Sequence, residues 1–406
     1  MLIKKSIALI LAVVFLAASV VLYVAFSNAG SRGEIDVVLN LEHSMADFSI
    51  ELFKNSIEAD GNSLISPLSV MLALAMAANG AGSETLEQME SLLAGGTPIT
   101  GLNGFLHAYA QGLPSSDDSM LHIANSIWFR DNESRFTAGE AFLQTNEDYY
   151  NAGIFSAAFD EQTVEDINTW VNTNTDGMIS EILNEISDEA MMYLINAVAF
   201  DAQWQRIYYE SDIMEGVFTD ERGIETSADF MYSRESLYLD DGMATGFIKP
   251  YLGGYSFAAL LPNEGISMET YIASLTGAGF INTLGQAQPV SVDTAMPKFD
   301  FEFGVNMNEA LIALGIPNAF NPSLADFNGI GTAPEGNLYI SSVVHKTYIS
   351  VDERGTRAGA ATMVEFAPTS APIFDVMVVH LDRPFLFAII DDATNLPVFI
   401  GTFMTP

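Results

Sequence analysis

The spacing of apolar residues changes from helical to strand-like along the chain. Residues 41–58 carry apolar side chains at the three- and four-residue intervals of a helix. Residues 62–69 predict a short strand that turns into a second helix, with Ser66 at the N-cap and Pro67 at the first helical position. Residues 68–78 are apolar nearly all round, so this second helix is predicted to be buried.

Strand signals dominate the later two thirds. Residues 123–129 predict a strand, residues 166–175 a helix carrying Trp170, and residues 193–200 a central strand covered on both faces, because this run is continuously apolar. Shorter strand signals follow at Phe218 and at residues 247–250, 255–261, 290–299, 338–351, 374–380, 385–390 and 398–403. Helices first and strands later predict an α+β domain with large antiparallel or mixed sheets.

Residues 351–367 combine strand-like alternation with unusually small side chains. Gly and Ala dominate where strands usually carry β-branched and aromatic residues. The only charged residues after Gly355 are Arg357 and Glu365, which share one parity. The opposite parity is uncharged and consists of Thr356, Ala358, Ala360, Thr362, Val364 and Phe366. One face of such a strand could be buried without burying a charge. A Gly/Ala-rich surface loop is the simpler interpretation of the same residues.

The N-terminal segment, residues 1–29, has the pattern of an export signal. Lys4 and Lys5 precede an apolar run over residues 7–26, and Ser27 and Ala29 are small residues at the positions that an export peptidase reads. We expect cleavage after Ala29, which leaves residues 30–406 as the folded body. An uncleaved signal anchor is the alternative, because about 20 apolar residues can span a bilayer. Either way the body is predicted to be secreted, or anchored to the outer face of the cytoplasmic membrane.

Composition narrows the classes of function. The 406 residues are 49% hydrophobic, and no repeat or low-complexity linker divides them, so the chain can form one large domain or two ordinary ones. The formal net charge of -37 argues against nucleic acid and anionic lipid as partners. An acidic exported protein from salty surroundings fits this charge, and an ordinary soluble acidic surface fits it equally.

Candidate chemistry is sparse. The absence of cysteine excludes disulfides, thiol catalysis and thiolate metal sites. The five histidines lack ligand spacing, so no metal and no cofactor are predicted; they are His43, His107, His122, His345 and His380. No Gly-x-Ser-x-Gly elbow, His-Glu-x-x-His helix or phosphate loop occurs, so we do not expect an enzyme.

Nine or so short motifs, in order from about residue 36 to residue 406, resemble the serpin family. They are Asn62 to Ser69, Ala124 to Phe129, Trp170-Val171-Asn172, Asn196 to Phe200 with Trp204, Met296 to Phe299, Leu314-Gly315-Ile316, Ala325 to Ile330, Val344-His345-Lys346 with Glu353 to Thr356, and Asp382 to Phe387 with Phe399-Ile400-Gly401. The resemblance implies a single serpin domain with an N-terminal helical region, large mixed and antiparallel sheets, and an exposed reactive-centre loop at about residues 353–372.

The family resemblance also implies a function and its residues. The loop would be cut by a serine or cysteine protease as bait, and would then insert into the main sheet and trap the enzyme. The implied hinge is Glu353, Gly355, Thr356, Arg357, Ala358, Gly359, Ala360, Ala361 and Thr362. The point where insertion begins, called the breach, is implied to include Trp204 and Lys298, and the cluster where the strands part, called the shutter, Ser66, Ser69, Asn196 and His345.

Counting along the loop as the family does places the scissile bond at Thr369–Ser370. A small hydroxylated residue there suits elastase- or subtilisin-like proteases, whereas a shifted cut would offer Phe366 to a chymotrypsin-like enzyme or Glu365 to a glutamate-specific one. We expect a monomer whose partner is a protease. The alternative is a non-inhibitory serpin that acts as a chaperone or binding protein, although such proteins usually carry bulky or charged hinge residues.

Overall fold

The computed structural model describes residues 32–58, 61–334, 336–356 and 376–406, with side chains from residue 37 onward. This part of the chain contains nine α-helices and two short 3-10 turns. The helices are α1 Arg32–Ser56, α2 Pro67–Ala78, α3 Ser83–Ala94, α4 Ile99–Gly112, α5 Glu140–Tyr150, α6 Glu161–Asn174, α7 Met268–Ser274, α8 Gly277–Gly285 and α9 Asn308–Ala313, and the 3-10 turns are Glu210–Asp212 and Pro317–Phe320.

Eighteen strands alternate with these helices in the described residues. They are β1 Ser63–Ile65, β2 Ser119–Arg130, β3 Thr137–Ala138, β4 Gly153–Ala157, β5 Met192–Gln203, β6 Ile213–Thr219, β7 Glu225–Glu235, β8 Leu237–Asp240, β9 Ala244–Pro250, β10 Tyr255–Pro262, β11 Val292–Pro297, β12 Phe299–Asn306, β13 Gly331–Thr332, β14 Val344–Val351, β15 Gly355–Thr356, β16 Met377–His380, β17 Phe385–Asp391 and β18 Pro397–Phe403.

Three large sheets organise the domain. The sheet that we call the main sheet has the order β12-β14-β15-β5-β2-β4. A second six-stranded sheet, β1-β18-β17-β10-β9-β8, is antiparallel throughout, and its central strands β10, β17 and β18 are buried along their whole length. A four-stranded sheet, β16-β11-β7-β6, and the small pair β13-β3 complete the architecture. The predicted α+β fold with mixed and antiparallel sheets is confirmed.

Helix α2 lies buried between the second sheet and the main sheet. The hydroxyl of Ser66 accepts a hydrogen bond from the Ser69 amide at 3.3 Å and so caps the helix, and Pro67 occupies its first turn. Eleven of its twelve residues are buried, as the apolar pattern predicted. The interior of α2 therefore offers few polar groups, and the serines at its start are the exceptions.

Helix α6 crosses the outer face of the main sheet. Ile167 and Val171 of α6 pack with Trp128 of β2 and with Ile195 and Ala197 of β5 in an apolar cluster separate from the central core. The two faces of β5 thus carry side chains into two different cores. This arrangement explains the continuous apolar run in the sequence, because each parity of β5 is covered.

Several predicted elements differ from those observed. The predicted strand over residues 338–351 begins only at Val344, because residues 338–343 find no partner strand. The predicted strand over residues 290–299 ends at Pro297, and a separate strand, β12, starts at Phe299. Among the residues described, no helix is long and apolar enough to cross a membrane, and no group of three or more His, Asp or Glu side chains is placed to hold a metal ion.

Candidate functional site

A tight turn, which we call the hinge turn (residues 352–355), joins β14 to β15. One carboxylate oxygen of Asp352 accepts hydrogen bonds from the amides of Arg354 at 2.7 Å and Gly355 at 3.2 Å. A Cβ atom on Gly355 would lie 2.0 Å from the carbonyl oxygen of Ala202. Only glycine therefore allows the chain to leave the turn in contact with β5.

The carbonyl groups of the hinge turn are bound by the segment that follows β5. The indole Nε1 of Trp204 donates to the carbonyl of Asp352 at 2.9 Å, and its amide donates to the carbonyl of Arg354 at 2.8 Å. The amide of Tyr208 donates to the carbonyl of Glu353 at 2.9 Å. Trp204 is fully buried and stacks on Tyr251 with ring centroids 4.2 Å apart. Three successive carbonyls are thus held from one side.

The side chain of Glu353 provides a second attachment for the turn. Its carboxylate lies 2.6 Å from the Lys298 ammonium, and both side chains are about one third exposed, at 35% and 30%. The hydrogen bond from Lys298 is the main cause that lowers the pKa of Glu353. Because Lys298 connects β11 to β12, the pair ties the turn to the adjoining sheets. The structure thus brings Glu353 of the implied hinge together with Lys298 and Trp204 of the implied breach.

Thr356 already occupies a strand position in the main sheet. It pairs with Val351 of β14 on one side and with Ala202 of β5 on the other, antiparallel to both. Its side chain is 2% exposed, and its hydroxyl shares a hydrogen bond with the phenol of Tyr251. Within the described residues β14 and β5 form no ladder with each other, so β15 is the only strand that pairs with both.

Further along the same seam, four polar residues connect α2 to β5 and β14. The amide of Ser66 donates to His345 Nε2 at 3.0 Å, and the hydroxyl of Ser66 caps the amide of Ser69. The hydroxyl of Ser69 donates to the side-chain oxygen of Asn196. The structure therefore brings together all four residues that the resemblance implied for the shutter: Ser66 and Ser69 at the start of α2, and Asn196 and His345 on the two strands that flank the seam.

Two further residues of this cluster were not identified from the sequence. Asn125 of β2 accepts a hydrogen bond at 2.6 Å from the side-chain amide of Asn196, and Thr347 of β14 donates to the carbonyl of Leu64 at 2.8 Å. Both are buried polar side chains in strands. The available signal was a polar residue at an inward position, since Asn125 shares its parity with the fully buried Ile127.

Burial determines the charge state of His345. The ring is 6% exposed, and desolvation of the charged form lowers its pKa to about 4. Its Nε2 atom accepts the Ser66 amide, which requires a neutral ring with the proton on the other nitrogen. The seam between β5 and β14 is therefore closed by a network of uncharged hydrogen-bonding groups at neutral pH.

The remaining predicted site residues lie outside the described part of the chain. They are Arg357, Ala358, Gly359, Ala360, Ala361 and Thr362 of the hinge, the predicted scissile pair Thr369 and Ser370, and the export segment 1–29. The roles assigned to them stay predictions.

Comparison with known proteins identifies the family. The family model described as serpin (serine protease inhibitor) matches residues 43–406. The chain belongs to the serpin family. A thermophilic serpin, tengpin, solved in the native state is 52% identical, with a TM-score of 0.85, and the match covers 90% of this chain and 94% of that one. The same serpin solved in the latent state has a TM-score of 0.81, at 49% identity and 90% and 98% coverage.

Curated relatives come from distant organisms. An uncharacterised serpin-like protein of Thermococcus kodakarensis is 29% identical over 385 residues, which is 92% of this chain and 87% of the relative. Alpha-1-antiproteinase of Rattus norvegicus is 27% identical over 377 residues, covering 90% of this serpin and 89% of the rat protein. Serpins are in general protease inhibitors and not enzymes.

Because the folded pKa of His345 lies below its unfolded value of 6.5, the neutral ring stabilises this serpin above about pH 6.5 and loses that effect as the pH falls toward 4. We expect His345 alone to remove about 2 kcal/mol of stability between pH 7 and pH 5. Denaturant unfolding at both pH values should show a smaller pH effect in His345→Gln than in the wild type. His43→Gln, which changes an exposed histidine, is the control and should show the same pH effect as the wild type. Equal losses of unfolding free energy between pH 7 and pH 5 in all three proteins would refute the role of His345.

Glu353→Lys should loosen the hinge turn. The change replaces a partly exposed ion pair of about 1 kcal/mol by two neighbouring ammonium groups, and the strand edges beside β15 can then pair with another molecule. We expect oligomers after warming below the melting temperature, measured by size-exclusion chromatography. Combining Glu353→Lys with Lys298→Glu restores the opposite charges and should restore the monomer. A single variant that stays monomeric under these conditions contradicts the role of the pair.

Proposed function

We propose that this serpin is an irreversible suicide-substrate inhibitor of serine or cysteine proteases. The observation that carries the proposal is the position of β15, which lies antiparallel to β14 and β5 and, among the described residues, is the only strand that pairs with both. A cleaved loop that continued from Thr356 would extend this strand along the seam. Strand addition of this kind is a known way for proteins to complete a sheet and release stored strain.

The observed register predicts what each inserted residue would meet. Continuing from the pair of Thr356 with Val351, every second loop residue lies opposite a buried residue of β14. Ala358 would face Ile349, Ala360 would face Thr347, and Thr362 would face His345. Directly opposite residues share a face of a sheet. The uncharged parity of the loop would thus enter the core, and the small side chains match a seam that is already closely packed.

The charged parity would face the other side. In the same register Arg357 lies opposite Asp201 of β5, a half-buried carboxylate. Opposite charges across a strand pair are stabilising, which offers a reason for an arginine at a hinge position where the family usually has an acidic residue. Asp201 could therefore help to fix the register of insertion.

The energy for trapping would come from the new strand. About a dozen residues that each gain roughly 0.5–1.5 kcal/mol from ladder hydrogen bonds supply on the order of 10 kcal/mol. The starting state must then be metastable, with the lower-energy state withheld by a kinetic barrier. Tengpin, which is half identical to this chain, has been solved in states named native and latent. Two folded states of one sequence are what this mechanism requires.

The chemistry of trapping is that of the target protease. Its nucleophile attacks the carbonyl carbon of Thr369, the peptide bond to Ser370 breaks, and the Ser370 amine leaves with the proton from the nucleophile. The ester or thioester that remains would be carried away from its hydrolytic water when the loop inserts. Elastase-, subtilisin- or chymotrypsin-like enzymes are the proposed targets.

We further propose that the protein acts as a monomer outside the cytoplasm, either free or held by its N-terminal segment. The support is the apolar run over residues 7–26 with its basic start and its small residues at the predicted cleavage point. Proteases exported to the same space would then be its partners.

A matched pair of variants tests insertion. Ala360→Glu would place a charge in the buried face of the new strand, whereas Ala361→Glu would place it on the opposite face beside Lys346. We expect the wild type and Ala361→Glu to form a covalent adduct with elastase or subtilisin on a denaturing gel, and Ala360→Glu to be cleaved without an adduct.

The melting temperature is a second test of insertion. From the ladder energy, we expect the cleaved wild type to melt about 10–20 °C or more above the intact protein.

Cleavage without any rise in melting temperature would contradict insertion and would favour the non-inhibitory alternative, a chaperone or binding protein. Equal adduct formation by Ala360→Glu and Ala361→Glu would contradict the proposed register. The position of the cut follows from the mass of the released C-terminal fragment.

A charge swap tests the proposed partner of Arg357. Asp201→Arg alone should reduce the stability gained on cleavage by about 1 kcal/mol, because two like charges would then face each other. Combining it with Arg357→Asp should restore the gain. Denaturant unfolding of the intact and cleaved forms of the wild type, the single variants Asp201→Arg and Arg357→Asp, and the double variant gives the coupling energy. Strictly additive effects would show that the two residues do not meet in the cleaved form.

A further inference from the structure

A buried ion pair that none of the predicted site residues includes lies behind the hinge turn. The Lys249 ammonium of β9 is 2.8 Å from the Glu235 carboxylate of β7, and the two side chains are only 1% and 8% exposed. The Ser233 hydroxyl also donates to Glu235 at 2.6 Å. Five other ion pairs in the described part of the chain are more exposed. A fully desolvated pair is costly to build, so its position in the fold is informative.

The ammonium group of Lys249 also contacts two aromatic rings. It lies 4.2 Å from the ring centroid of Tyr208 and 5.4 Å from that of Trp204. Both distances fall within the range of cation–π attraction, which is stronger when the cation is removed from water. The Tyr208 side chain is 3% exposed and Trp204 is fully buried, so water does not screen their contacts with the ammonium group.

The same two aromatic residues hold the hinge turn. Trp204 and Tyr208 supply all three of the donors described above for the carbonyls of residues 352–354. Behind them, Trp204 stacks on Tyr251, whose hydroxyl meets Thr356. The ion pair therefore lies one layer behind the two residues that donate to the hinge turn.

We infer that the Lys249–Glu235 pair is a positioning device for the hinge turn, which acts by fixing the rings of Trp204 and Tyr208. A buried ion pair seldom adds net stability compared with apolar side chains of similar size, whereas it fixes the positions of the groups around it. In this chain those groups are the rings of the two residues that donate to the carbonyls of residues 352–354, and one of the three donors, the indole Nε1 of Trp204, is itself a ring atom. An effect of the Lys249–Glu235 pair on the rate of loop insertion rests on the proposed function, whereas its effect on the position of the hinge turn does not.

Hydrogen exchange tests this role on the intact protein without any protease. The double variant Lys249→Met with Glu235→Gln removes both charges, keeps similar side-chain volumes, and keeps an acceptor for Ser233. We expect it to melt within a few degrees of the wild type. The amides of Trp204 and Tyr208 should exchange roughly 5- to 30-fold faster, while the amides of α3 keep their wild-type protection.

The matched control is Arg234→Met with Asp293→Asn, which removes an exposed ion pair from neighbouring positions of β7 and β11. Its exchange at Trp204 and Tyr208 should equal that of the wild type. Wild-type exchange at these amides in the double variant overturns the inference, and so does an equal acceleration at every amide, which would indicate a purely structural role.

If the double variant does not fold, Lys249→Gln with Glu235→Gln gives the same comparison, because it also removes both charges, lets the two side chains share a hydrogen bond, and keeps an acceptor for the Ser233 hydroxyl. Faster exchange at the two amides supports the inference, and unchanged exchange overturns it. Failure of the wild type to form protease adducts would affect only the proposed function, since exchange is measured on the uncleaved chain.

Discussion

The backbone pairing of Gly355 and Thr356 is the interaction on which the rest of this structure depends. These two residues place their ladder hydrogen bonds between two strands that are otherwise unpaired with each other in the described chain. The main sheet is thereby held together at one end by the start of the segment that is proposed to enter it. Gly355 permits the close approach to β5 that this ladder requires, and Thr356, the other residue of the ladder, is buried.

Two polar systems act along the same seam in different ways. At the end where the strand begins, charges and aromatic rings fix the hinge turn, through the Lys298–Glu353 contact on the outside and Lys249 behind the rings. Under the middle of the seam, neutral groups such as Ser66 and His345 exchange hydrogen bonds between α2 and the strands. Hydrogen bonds between neutral groups can be exchanged for equivalent ones at modest cost, whereas a buried charge needs its partner. The seam is thus held rigidly at its end and more adaptably along its length.

The sequence predicted elements well where a hydrophobic pattern was long and needed no particular partner. Helix α2 and the central strand β5 belong to this class, because burial on all sides leaves a continuous apolar run. Boundaries were wrong where pairing decided them. Residues 338–343 are rich in residue types that favour strands but meet no partner strand, whereas β12 was missed because only its first residue, Phe299, was included, at the end of the predicted strand over residues 290–299.

For the candidate site as well, some features could be predicted from the sequence and others were decided by the tertiary structure. The family motifs in the sequence predicted which residues belong to the hinge and the shutter, and the alternation after Gly355 predicted which face of an inserted strand could be buried. Only the tertiary structure decided that β15 lies between β14 and β5 and that Asn125 and Thr347 join the shutter. It alone also placed Lys249 and Glu235, 14 positions apart in the chain, against the rings that hold the hinge turn. The local pattern of hydrophobic and polar residues indicates whether a side chain is suited to burial. The partner of a buried polar group is set by the three-dimensional packing of segments that are distant in the sequence.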